Sequence, residues 1–98
     1  MSAAREIVQA DRRRAILVAL SIAPGYTLPE RALRAQVEAI GYTVSLDMLR
    51  SDVAALEEIG LADTFGLMGS VKLTDRGLDV VMGRSQVPGV RRPEPGEV

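Results

Sequence analysis

The sequence predicts a mainly helical fold with a small β-hairpin, a winged helix-turn-helix. Three observations predict it. Helical segments with one apolar face follow one another across short turns. The apolar period switches from helical to strand-like after Gly60. A fourth, side-chain-capped helix then follows the hairpin. The chain has 98 residues, enough for one core and too few for two ordinary domains.

Residues 2–22 read as the first helix, with a possible bend near Asp11. Ile7, Val8, Ile16, Leu17 and Leu20 supply its apolar side, Arg12, Arg13 and Arg14 read as a solvated face, and Pro24-Gly25 ends it. Thr27 and Glu30, three residues apart, have the form of a capping box for the second helix, with Pro29 in its first turn. Leu33, Val37 and Ile40 form its stripe, and Gly41 closes it. Ser45 caps the third helix, whose stripe is Leu49, Val53 and Leu56. Residues 61–65 and 71–73 read as strands around a tip at Gly66-Leu67-Met68-Gly69-Ser70. Thr74 caps the fourth helix, which runs to about Met82. The winged-helix domain is read as residues 1–84, and residues 85–98 as an extended Pro/Gly/Arg-rich tail, mobile unless docked on a partner.

Composition removes whole classes of function. There is no Cys and no His, so disulfides, thiolate or imidazole metal sites and histidine-based catalysis are absent. No cofactor or metal is expected. The chain has 12 Lys+Arg against 13 Asp+Glu, a net charge of −1, so any basic nucleic-acid surface must be local. Three aromatic residues, Tyr26, Tyr42 and Phe65, are too few for a base-stacking platform. Arg12-Arg13-Arg14 before an apolar run has the look of a secretion signal. Glu6 and Asp11 interrupt its basic region, and cleavage would remove a core-forming helix. The expectation is a host-cytoplasmic protein that spans no membrane and is not an enzyme, since each carboxylate has an ordinary reading as a cap or a solvated charge.

Two segments carry a resemblance. Leu56-Glu57-Glu58-Ile59-Gly60-Leu61 followed by Leu73-Thr74-Asp75-Arg76-Gly77 resembles the recognition-helix end and wing exit of bacterial regulators of the ArsR, MarR and PadR type. Ala10-Asp11-Arg12-Arg13, Ala23-Pro24-Gly25-Tyr26, the stretch Leu73 to Val80 and the ending Val87-Pro88-Gly89-Val90-Arg91-Arg92-Pro93 together resemble a small ArsR-like winged-helix family of Mu-like phages and prophages. The resemblance implies a phage gene and the winged-helix fold. It implies no metal sensing, because the thiol and imidazole ligands for a soft metal are missing.

Two functions are weighed. The first is duplex DNA binding by a small phage transcriptional regulator. The third helix would read the major groove with Thr43, Ser45, Asp47, Arg50 and Ser51, Arg50 pairing with guanine. Arg31, Arg34 and Lys72 would hold phosphates. Against it, Arg50 is the only cation among Asp47, Asp52, Glu57, Glu58 and Asp63 in residues 44–65, and Arg50 could instead pair with Asp47 or Glu57 at helical spacing. The alternative is a protein-interaction module, whose acidic third helix, apolar tip at Leu67 and Met68, and tail would bind a phage or host protein. Apolar residues near both ends of the domain, Ile7, Val8, Leu78, Val81 and Met82, suggest a homodimer.

Overall fold

The computed structural model describes residues 3–67 and 69–95. The elements are α1 (Ala3–Ser21), a 3-10 turn (Pro24–Tyr26), β1 (Thr27–Leu28), α2 (Glu30–Ile40), α3 (Leu46–Glu58), β2 (Ala62–Phe65), β3 (Ser70–Leu73) and α4 (Asp75–Val81). The strands form one antiparallel sheet in the order β1-β3-β2. A helix, a short edge strand, two helices joined by a turn, and a hairpin that takes the edge strand into its sheet make up a winged helix-turn-helix.

The core is built where the apolar stripes meet. Ile16, Leu17 and Leu20 of α1, Leu33 and Val37 of α2, and Leu49 and Leu56 of α3 are fully excluded from solvent. Val71 and Leu73 alternate with exposed Lys72 on β3, so one face of the sheet covers the open side of the helices. Ser45 and Thr74 cap as the sequence predicts: the Ser45 hydroxyl accepts from the Met48 N–H at 3.1 Å, and that of Thr74 from the Gly77 N–H at 3.0 Å.

Several expectations are corrected. The capping box does not form, because Thr27 lies in β1 opposite Lys72 and its hydroxyl donates to the Gly25 carbonyl at 2.9 Å. The cap position of α2 belongs to Pro29, which has no side-chain cap. The left-handed pair Gly25 (φ 63°) and Tyr26 (φ 58°) turns the chain so that Thr27 and Leu28 reach the free edge of β3. Pairing there satisfies backbone groups that a local box would have left to solvent. Glu30 is thereby free to reach α3. α1 is one helix without a break at Asp11. Ile7 and Val8 are exposed, because the first turns of α1 lie off the core, and Ile40 is exposed at the end of α2.

The arginine run is not a solvated face. Asp52 is 1% exposed and lies on the inner stripe of α3 beside Leu49, Val53 and Leu56. Arg12 grips it with two nitrogens, one of them 3.1 Å from Oδ1, and Arg13 Nε lies 3.2 Å from the same oxygen. Arg14 is also buried. A carboxylate on an apolar stripe requires a counter-charge, and α1 supplies it.

The segment after α4 has no helix or strand among residues 85–95, in line with its composition. It is nonetheless docked on its own chain. Val87 and Val90 pack against the core, Val90 being 8% exposed. The Arg91 N–H donates to the Ala10 carbonyl at 3.3 Å, and Arg91 Nε lies 2.8 Å from Asp11 Oδ1. The segment straps α1 from outside. Val90→Ser is expected to lower stability by about 1–2 kcal/mol and to speed amide exchange at Arg91, as read by denaturation and hydrogen-exchange mass spectrometry.

Candidate functional site

The face that a winged helix offers to partners is built by α3 and the β2–β3 wing. α3 starts sharply because Ser45 caps it, and its inner stripe fixes which residues turn outward. Asp47, Arg50, Ser51, Ala54, Glu57 and Glu58 are exposed, as is Asp63 on the wing.

Arg50 does not project freely. Its Nε donates to Glu30 Oε1, and its Nη2 lies 3.3 Å from Glu30 Oε2. The helical neighbour Asp47 is 4.0 Å away. The hydrogen bond that Arg50 donates to Glu30, and then the charge of Glu30, raise the guanidinium pKa further above its ordinary value. The chief partner of Arg50 is thus Glu30 of α2, rather than Asp47 or Glu57 on its own helix. The helical pairing with Asp47 is present but secondary, because Glu30 meets the guanidinium with both oxygens, while Glu57 is engaged elsewhere. Its carboxylate accepts from both the Thr64 N–H and the Thr64 hydroxyl, each at 3.0 Å, pinning the last turns of α3 to β2.

The other expected DNA-contacting residues separate into two groups. Thr43, Asp47, Ser51, Arg31 and Lys72 are exposed. Ser45 and Arg34 have structural partners: Ser45 caps α3, and Arg34 Nε donates to the Val44 carbonyl at 2.9 Å while lying 3.7 Å from Glu38. Lys72 sits across from Asp63 on the outer face of the sheet.

Leu67 is fully exposed at the wing tip; Met68 lies outside the described residues. Of the five residues expected at a homodimer contact, Val81 is buried in the chain's own core at 5% exposure and Leu78 is packed against that core. Ile7, Val8 and Met82 are exposed. Val80 and Val81 are buried in the chain's own core, with α1 the main neighbour of α4.

Between α3 and the wing lies a cleft of about 240 Å³. Leu49, Val53, Ala54 and Val71 form its apolar floor, and Glu30, Arg50 and Glu57 stand at its sides. Sequence reasoning missed Glu30 and Thr64 as parts of this site. Glu30 was absorbed by the capping-box pattern, and no local signal places Thr64 opposite Glu57. Among the described residues no group of His, Cys, Asp or Glu is arranged to hold a metal ion, and no helix is long and apolar enough to cross a membrane.

The chain is 38% identical over 92 residues to the uncharacterized protein gp26 of Escherichia phage Mu, covering 92% of this chain and 95% of that protein. It belongs to the family of Mu gp26. The likeness to gp26 extends over most of both chains. It says nothing of ArsR-type regulation. No family model and no solved structure matches the chain.

Proposed function

We propose that this member of the gp26 family is a protein-interaction module, and that its α3–wing face binds a phage or host protein inside the infected cell. The observation that carries this reading is the fate of the basic residues. Arg12 and Arg13 are turned inward on Asp52, Arg34 holds the turn before α3, and Arg50 is bound to Glu30. The outward side of α3 presents Asp47, Glu57 and Glu58 beside the paired Arg50, and Asp63 on the wing faces Lys72, leaving Arg31 as the exposed cation of α2. Duplex DNA is bound chiefly by neutralising phosphates, and this face would repel them.

A second reading is DNA binding by a small dimeric regulator. It is favoured by the helix-turn-helix topology itself, which leaves Thr43, Asp47, Arg50 and Ser51 outward at the start of α3 with exposed Arg31 on α2. It requires Arg50 to leave Glu30 for a base or phosphate, and Ile7, Val8 and Met82 to serve as the remaining dimer contacts.

Fluorescence anisotropy with a mixed duplex pool, titrated from low to physiological salt, separates the two. The interaction reading expects no saturable binding up to about 100 µM duplex even at low salt, where non-specific binders associate readily. Binding that weakens linearly with log salt and is abolished by Arg50→Glu would establish the second reading instead.

A further inference from the structure

We infer that the α3–wing cleft is the seat for a basic peptide segment anchored by one apolar side chain. This rests on the reading of the face as protein-binding and names the chemistry of the occupant. The cleft, at about 240 Å³, falls below the roughly 300–1,000 Å³ of small-molecule sites. It suits a side chain of leucine or methionine size rather than a cofactor. Its floor of Leu49, Val53, Ala54 and Val71 offers apolar contact and nothing to a polar ligand.

The electrostatics fix the sign of the occupant. Glu57 is held still by two bonds from Thr64, so its carboxylate is placed before any partner arrives. A carboxylate fixed in advance loses little conformational entropy on pairing. Glu58, the next residue on α3, stands exposed beside Glu57. On the other side, Glu30 is shared with Arg50. A lysine or arginine beside the apolar anchor would meet Glu57 on the wing side, while the Glu30–Arg50 pair leaves the other wall near neutral; an acidic segment would meet Glu57 and Glu58 as like charges, which costs binding strongly.

The test is selection from a displayed library of random dodecapeptides against the intact chain, with two variants as controls. Ala54→Gln fills the cleft from an exposed helical position without changing charge, and glutamine is a good helix former. Glu57→Gln removes the charge and keeps an acceptor for Thr64. The expected result is a pool enriched in Lys or Arg next to Leu, Ile or Met. Binding of a synthesised winner should weaken roughly tenfold or more in Ala54→Gln and several-fold in Glu57→Gln, with circular dichroism unchanged in both. Winners that are acidic or neutral yet lost in Ala54→Gln overturn the basic occupant while leaving the face as protein-binding. Basic winners that bind Ala54→Gln as well as the parent chain overturn the cleft as their seat. An empty selection together with salt-dependent duplex binding overturns this inference and the reading beneath it.

Discussion

Asp52→Asn is expected to cost about 3 kcal/mol or more, because it strands two guanidinium groups that have folded around one buried carboxylate. Asp52 is 1% exposed and joins α1 to α3 through Arg12 and Arg13. Breaking a buried pair by removing one partner costs roughly 3–5 kcal/mol. The lower end applies here, because Arg12 and Arg13 keep 11% and 18% side-chain exposure and can draw in water. Small domains are stable by only about 5–15 kcal/mol, so the loss is a large share of the total. Urea denaturation should show the midpoint fall with the slope unchanged. Replacing all three residues together with apolar ones (Arg12→Met, Arg13→Leu, Asp52→Leu) should restore most of the stability, since the desolvation cost leaves with the charges. A single Asp52→Asn variant within about 0.5 kcal/mol of the parent, the range of ordinary surface substitutions, would mean the cluster is hydrated.

Gly77→Ala should be the other severe change. A Cβ at Gly77 would lie 2.2 Å from the Leu61 carbonyl oxygen and 2.6 Å from Leu73 Cδ1. The carbonyl has no freedom to retreat, because it accepts the Thr74 N–H at 3.1 Å at the point where α4 begins. α4 must therefore back away from the α3–β2 junction and loosen Val80 and Val81. Overpacking costs about 1–3 kcal/mol in ordinary cores, and here the obstruction is backbone, so the upper end is expected. That corresponds to a fall in Tm of roughly 12–24 °C for a chain of this size, read by thermal circular dichroism. A fall below about 4 °C would show that α4 can shift without disturbing the core.

The helices were legible because their signals are local. Stripes such as Leu49, Val53 and Leu56, with the Ser45 and Thr74 caps, depend on residues a turn apart. The hairpin was legible from the change of period and its glycines. β1 was not, since two residues cannot show a period and Thr27 matched a stronger local pattern. The Arg12–Asp52 and Arg50–Glu30 pairs join residues 40 and 20 positions apart, beyond the reach of spacing arguments. One of them did leave a trace: Asp52 falls three residues after Leu49 on the inner stripe, where an acid must find a buried cation. The strap's composition predicts an extended tail, mobile unless docked on a partner. Composition does report the absence of helix and strand, but two valines sufficed to dock it.

This placement of charges decides the functional account. The fold presents α3 as DNA readers do, while Arg12, Arg13 and Arg50 are turned toward the chain's own carboxylates. The most direct measurement is to titrate the ¹⁵N-labelled chain at low salt with a mixed-sequence duplex of about 20 base pairs, long enough for the strong non-specific term of a DNA binder. The account predicts that the amides of Arg31, Thr43, Ser45, Arg50, Ser51 and Lys72 stay in place. Progressive, saturable shifts clustered on those residues would contradict it and return α3 to the major groove.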